Sequence, residues 1–330
     1  MNRHPDFHSS FWLPGAHLQT VWGSLARPRR LIDYRRETLP TPDGDEILID
    51  HVDVSGALGR CILLHGLEGS SYSVYIQGMA SLLASQRISA SVLNFRSCAR
   101  DPRRLSFRIP NHRPRLYHSG ETTDFDHLAS TLASRQQEPL FAIGVSMGGN
   151  VLLKWLGEHP DQSLIRSAVA ISTPYDLGAG AEFLERGLGP FYVGIFLRTL
   201  RLKAVSVAER FSLPPEKLNV EGARKARSFR EFDDAATGPL HGFTGADDYY
   251  LRASSIRAID RITTPALCIS AEDDPFLPRR TLEEVRERKS DQVELVTTRF
   301  GGHTGFVGGL PWRCRYWAEE TAVSWLSGFR

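Results

Sequence analysis

Phe141-Ala142-Ile143-Gly144-Val145-Ser146-Met147-Gly148-Gly149-Asn150 decides how the rest of this chain is read. An apolar run ends in Gly-x-Ser-x-Gly, and a helix-compatible segment follows from Asn150 to His159. That order is strand, sharp turn, helix. A side chain at Gly144 or Gly148 would crowd the strained backbone that lifts Ser146 out of a sheet. A serine placed in this way exposes its hydroxyl while the neighbouring amides point at the same space. The setting marks Ser146 as a nucleophile, against the alternative of a structural turn.

Reading outward, a serine hydroxyl is a poor nucleophile until a base takes its proton, and the base needs an orienting acid. Two later loops offer both. Ala266 to Ser270 reads as a strand, followed by Ala271-Glu272-Asp273-Asp274-Pro275-Phe276. Val293 to Thr297 reads as another, followed by Phe300-Gly301-Gly302-His303-Thr304-Gly305-Phe306. Each loop lands at the carboxyl end of a strand, where an open α/β sheet keeps its site. His303 among three glycines is the expected base. Asp273 and Asp274 compete for the acid, and the position just before the proline favours Asp274. Upstream, His65-Gly66-Leu67 leaves the strand Cys61–Leu64, so the backbone N–H groups of Leu67 and Met147 are the expected oxyanion donors.

The full pattern before residue 175 alternates strands and helices. Asp33–Leu39 and Glu46–Val54 read as a hairpin around Thr41-Pro42-Asp43-Gly44-Asp45. Then come a helix at Tyr75–Gln86, a strand at Ser91–Phe95, a helix at Glu121–Arg135 and a strand at Ser167–Ser172. Such alternation implies a mostly parallel sheet covered by helices on both faces. From Tyr175 to Ile262 no strand is expected. Helical pieces at Ala179–Arg186, Phe191–Phe211, Leu218–Glu231 and Asp247–Ser255 are interrupted by prolines and by Gly238-Pro239. Four regions result: an aromatic-rich arm at 1–30, core at 31–174, a helical lid at 175–262, and core again at 263–330, closed by a helix at Trp312–Trp325. The arm reads as a packing staple without chemistry.

Composition bounds the function. The 330 residues are 41% hydrophobic and 24% charged with net charge +2, too balanced to imply a nucleic-acid partner. Cys61, Cys98, Cys268 and Cys314 are scattered without a Cys-x-x-Cys pair and read as reduced thiols. The first ten residues lack the apolar core of a signal peptide, and the apolar run Leu188–Leu197 is too short to span a bilayer. A cytoplasmic location is expected. The histidines show no His-x-x-x-His or His-Glu-x-x-His spacing on a helix, so no metal is expected, and no cofactor is expected either. Arg96 to Ser119 carries seven arginines and three prolines. It reads as a solvated basic loop, with peripheral contact to a membrane surface or an anionic substrate as the sharper alternative.

Several segments together resemble one family. They are Trp12-Leu13-Pro14 with His17-Leu18-Gln19-Thr20, Leu64-His65-Gly66-Leu67-Glu68-Gly69-Ser70, Tyr117-His118-Ser119-Gly120-Glu121-Thr122, and Gly302-His303-Thr304-Gly305-Phe306. With Gly144–Gly149 and Asp273–Phe276 they resemble the YheT-like branch of the α/β-hydrolase superfamily, from Phe11 to about Trp325. The resemblance implies an α/β-hydrolase fold and a serine carboxylesterase or lipase-like hydrolase, with Ser146, Asp274 and His303 as its triad. The chain departs from that branch after Phe95, where Arg96-Ser97-Cys98-Ala99-Arg100 replaces the usual Arg-Gly-Cys-Ser-Gly and a longer arginine-rich stretch follows. Ester cleavage through an acyl-serine is thus the expected activity, on a small-molecule or lipid-like ester. Acyl transfer to an alcohol and a non-catalytic binding protein are the alternatives. The expected substrate pocket includes His65, Phe191, Tyr192 and Ile195, with Phe196 beside them in the lid.

Overall fold

The computed structural model describes residues 5–23, 27, 28 and 32–329; residues 1–4, 24–26, 29 and 30 of the expected arm and residue 31 of the expected core lie outside the described residues. Its centre is an eight-stranded sheet. In chain order the strands are β1 (Arg35–Pro40), β2 (Glu46–Val52), β3 (Arg60–Leu64), β4 (Ser89–Asn94), β5 (Leu140–Val145), β6 (Ile165–Ile171), β7 (Ala266–Ala271) and β8 (Val293–Thr298). Across the sheet they lie in the order β1-β2-β4-β3-β5-β6-β7-β8. β1, β2 and β4 pair antiparallel, and every pairing from β4 to β8 is parallel. All six residues of β4, β5 and β7 are buried. Strands covered by helices on both faces are buried at every position in this way and are rich in apolar residues, because neither face meets water.

Helices Thr123–Arg135, Met147–Glu158 and Arg279–Arg288 pack Phe125, Leu152, Trp155 and Val285 onto one face. Helices Val74–Ser85 and Trp317–Ser327 pack Met79, Leu83, Ala322 and Leu326 onto the other. The closing helix starts at Trp317, later than the sequence suggests, because Arg313–Tyr316 first pairs with Val307–Leu310 as a small hairpin. The parallel register sets the site. Leu64 lies opposite Gly144, and Val145 opposite Ile171, so the loops after β3, β5 and β6 leave the sheet side by side.

Between β6 and β7 the described chain is helical. The longest element, Gly189–Arg210, begins with Pro190 in its first turn, where the missing N–H breaks no bond. The single helix expected at Leu218–Glu231 is instead two, Val220–Lys225 and Phe229–Phe232, each started by a side-chain cap from Asn219 or Ser228. From Phe229 the chain runs through a π-helical turn, Asp233–Thr237, into Gly238–His241 and so passes Gly238-Pro239 without the expected break. The proline again falls in a first helical turn. Leu197, Ala204, Phe232 and Ala236 give this region its own core. Asn150 of the helix after Ser146 pins it, donating to the Ser119 and Ala253 carbonyls and accepting from the Ser255 N–H.

The arginine-rich stretch is not a solvated loop throughout. It folds into a short hairpin, Arg100–Asp101 against Arg104–Arg108, and several of its guanidinium groups turn inward. Arg96, 3% exposed, forks onto Asp124 at 2.6 and 2.8 Å and reaches Asp43 and Asp45 at 2.8 and 3.0 Å. Arg115 pairs with Asp43 and Glu121, and Arg108 with Glu68. Arg103, Arg104 and Arg113 face solvent. Burial here is tolerated because bidentate ion pairs replace lost water. The thiols of all four cysteines are free. No helix among the described residues is long and apolar enough to cross a membrane. Arg96→Met would leave Asp45 and Asp124 buried without their cation. It is expected to cost about 3–5 kcal/mol, read as a lower urea midpoint at unchanged slope.

Candidate active site

Ser146 is where sequence and geometry meet most tightly. Its backbone sits at φ 54°, ψ −122°, a region that side-chain-bearing residues rarely enter. The Ser146 N–H donates to the Ile171 carbonyl at 2.8 Å, which holds the turn against β6. A Cβ on Gly144 would lie 2.3 Å from the Gly148 carbonyl oxygen, and one on Gly148 would lie 2.5 Å from that of Leu64. Both glycines are therefore required by contact between backbones, whatever their own dihedrals.

The structure brings His303 and Asp274 to this serine. His303 Nε2 lies 2.9 Å from Ser146 Oγ, and Nδ1 lies 2.9 Å and 3.1 Å from the two Asp274 oxygens. Asp274 and His303 are both buried. Asp273 points elsewhere and accepts from the Gly302 N–H at 2.9 Å. Burial, then the adjacent Asp274 charge, pushes its carboxyl above the usual carboxylate range. Phe276 stacks on the imidazole with ring centres 4.2 Å apart, which fixes the ring plane.

The arm contributes more than packing. Its helix Ala16–Val21 lies under the histidine loop. Thr20 Oγ1 accepts from the His303 N–H at 2.8 Å. Gln19, 1% exposed, accepts from the Val307 N–H and donates to the Val307 carbonyl. Gly302 has φ 59°, and a Cβ there would lie 2.3 Å from the Ala16 carbonyl. The motif His17-Leu18-Gln19-Thr20 was the available signal, but polar residues between tryptophans do not reveal which distant loop they hold.

On the other side of Ser146, a Cβ on Gly66 would be 3.2 Å from the serine Cβ, so the loop after β3 needs glycine there to come so close. The Gly66 N–H donates to the Tyr75 hydroxyl and the Glu68 N–H to the Tyr117 hydroxyl. Among the described residues the intervening Leu67 N–H has no such acceptor. Met147 supplies the first N–H of its helix. Glu68, at φ 57°, clamps the loop. Its carboxylate accepts from Tyr117 and Lys203, both at 2.6 Å, and its carbonyl accepts from Arg108 at 2.7 Å. Burial favours the neutral acid, but Lys203 and Arg108 outweigh it and hold the group at about 2. Lys203 belongs to the long helix Gly189–Arg210, so that helix and this loop are tied through a buried ion pair.

A cavity opens beside Ser146 and His303. Leu67, Met147, Leu184, Phe196, Leu200 and Phe276 are among its walls, with Tyr117, His118, Phe229, Phe232, Asp233, Tyr249 and Tyr250 beyond them. Four expected pocket residues lie outside it. His65 is buried beneath the loop; its Nδ1 meets its own neighbour's Gly66 carbonyl, and Nε2 accepts from the Phe95 N–H. Burial lowers that imidazole to about 3, so it is neutral. Phe191 and Ile195 face solvent at 66% and 48% exposure, on the side of the long helix opposite Val193, Leu197 and Leu200. Tyr192 turns toward the arm: its hydroxyl lies 3.0 Å from His17 Nδ1 and its ring meets Phe276 edge-on. A helical stripe tells which residues share a face, not which face is inward. Among the described residues, no group of three or more His, Cys, Asp or Glu is placed to hold a metal ion.

A mostly parallel sheet with a left-handed serine between β5 and its helix, faced by a histidine and carboxylate from the loops after β8 and β7, defines an α/β hydrolase. A family model for the alpha/beta hydrolase fold matches residues 61–310, and the chain belongs to that family. It is 32% identical to YheT of Escherichia coli over 95% of this chain and 90% of YheT. It is 29% identical to phospholipase ABHD3 of Mus musculus, over 94% of this chain and 75% of that protein. The solved structure of the Pyrococcus furiosus esterase Pf2001 superposes with a TM-score of 0.57 at 17% identity, covering 92% of this chain and 95% of the other. That superposition speaks to the fold alone.

Thr20→Val keeps the shape of the arm helix but leaves the His303 N–H without its acceptor. A lost buried bond of this kind costs about 1–3 kcal/mol. Labelling of Ser146 by a fluorophosphonate is expected to slow on the order of tenfold, with thermal unfolding monitored to show that the fold persists.

Proposed function

We propose that this protein is a serine hydrolase that cleaves carboxylic esters through an acyl-serine intermediate. The single observation that carries this reading is the continuous contact from Asp274 through His303 to Ser146, with both steps at 2.9 Å. His303 Nε2 takes the proton as Ser146 Oγ attacks the ester carbonyl. Asp274 holds Nδ1–H and stabilises the imidazolium. The N–H groups of Leu67 and Met147 receive the oxyanion, a type of contact worth about 3–4 kcal/mol per donor. The tetrahedral species collapses, His303 returns the proton to the leaving alkoxide, and the acyl group stays on Ser146. Water, deprotonated by His303, then attacks the acyl carbonyl; the acid departs and Ser146 regains its proton.

The names of the relatives run the same way, YheT being provisionally named an esterase and ABHD3 a phospholipase. A serine already hydrogen-bonded to a base in an apolar cavity supports turnover over mere binding. In this reading residues 175–262 form a lid over the core of 31–174 and 263–330, and residues 1–30 an arm that braces the histidine loop. The substrate is a small-molecule or lipid-like ester whose chain lies against Phe196, Leu200, Phe229 and Phe276.

Ser146→Ala is expected to abolish p-nitrophenyl ester turnover while circular dichroism stays unchanged; undiminished turnover would contradict the mechanism. Asp274→Asn is expected to lower kcat on the order of 10⁴-fold, because the imidazole loses its oriented tautomer. Asp273→Asn, which disturbs backbone contacts to Gly301 and Gly302, should cost far less, and the reverse ranking in side-by-side kinetics would move the acid.

A further inference from the structure

One charged group in the cavity plays no part in the triad or the oxyanion site. Asp233 sits in the π-helical turn and lines the same cavity as Ser146. Its two oxygens accept from neutral hydroxyls only, Thr237 at 2.6 Å and Tyr250 at 2.8 Å. Among the described residues it makes no ion pair, and no lysine or arginine lines the cavity. Arg230, the nearest cation in sequence, pairs with Asp247 and lies over the Tyr250 ring at 5.7 Å. Phe229, Phe232, Tyr249 and Tyr250 line the same cavity as the carboxyl, and the Tyr250 hydroxyl touches it.

Each part of this arrangement has a chemical consequence. Two hydroxyl donors aimed at both oxygens suit a carboxylate rather than a carboxylic acid. Burial nevertheless pushes its pKa up to about 7. An enclosed carboxyl of this kind gains its charge most readily when a cation arrives beside it. Aromatic faces next to a carboxylate attract weakly hydrated organic cations. An anionic group, such as a phosphate, would meet a like charge and no counter-ion.

Resting on the hydrolase reading for its chemistry but not for its test, we infer that Asp233 makes this cavity a binding site for a substituted ammonium group, so that the preferred esters are cationic. The group on Asp233 belongs to the acyl or the alcohol part of the ester, and the triad cleaves the bond between them.

Calorimetry tests this without turnover. Choline and its uncharged isostere 3,3-dimethyl-1-butanol are titrated into the wild-type protein and into Asp233→Asn, with folding followed by circular dichroism. Choline is expected to bind at least about tenfold more tightly than the alcohol to the wild type. The preference is expected to vanish in Asp233→Asn. Equal or weaker binding of choline by the wild type, or no detectable choline binding, overturns the inference even if the variant does not fold. So does a preference that survives in a folded Asp233→Asn. Turnover of butyrylcholine against 3,3-dimethylbutyl butyrate is then read separately. Loss of both hydrolyses with the binding preference intact contradicts the hydrolase reading and leaves the ammonium site standing.

Discussion

The close approach of three backbone segments at Ser146 is the constraint on which the rest of this structure depends. β3, β5 and β6 run parallel in fixed register, so Leu64, Gly144 and Ile171 arrive at one edge together. The chain must then turn from strand to helix with almost no room. Glycine at 144 and 148 makes the turn physically available, and Ser146 takes the left-handed dihedrals that result. Such a conformation costs on the order of 1–3 kcal/mol and persists only where its surroundings over-determine it. Here the Ser146 N–H on Ile171 and the helix Met147–Glu158, buried along most of its length, supply that determination.

Everything near the serine is arranged to hold partners that arrive from elsewhere in the chain. The histidine loop is braced from below by Thr20 and Gln19, nearly 300 residues away in sequence, and from the side by Phe276. The loop carrying Leu67 is held by Tyr75, Tyr117 and the Glu68 clamp. Because Lys203 closes that clamp, the helical region over the cavity and the proposed oxyanion loop share one buried ion pair. Removing either charge would leave the other buried and poorly paired, which is costly. Long-range polar contacts thus fix the site's geometry, while the sheet beneath is held by apolar packing.

The fold was legible because its signals are local. Continuous apolar strands, a turn-forming pentapeptide at Thr41–Asp45 and a glycine-flanked serine each follow from a few adjacent residues. Ser146, His303 and the choice of Asp274 over Asp273 follow from strand ends and the proline turn, and the structure places these three side chains together. Features fixed by distant partners were not legible. Nothing near Arg96 says that it meets Asp43, Asp45 and Asp124, so a basic run read as solvated is partly interior. Phe191 and Ile195 share a helix with Phe196, and only packing shows that Phe196 alone of the three lines the cavity. His65 looked like a pocket residue because it precedes Gly66, yet the Phe95 amide holds it underneath. Asp233 had no sequence signal, since what sets it apart is that, among the described residues, it lines the cavity without an ion pair.

The central claim is that Ser146 carries the acyl group during ester cleavage. Acid-quenched mass spectrometry during turnover of a p-nitrophenyl ester, followed by peptide mapping, measures this directly. The account predicts a protein heavier by one acyl group, with the addition on the peptide containing Ser146 and absent from Ser146→Ala. Steady turnover with the acyl group on another residue, or with the same burst and adduct in Ser146→Ala, would contradict it.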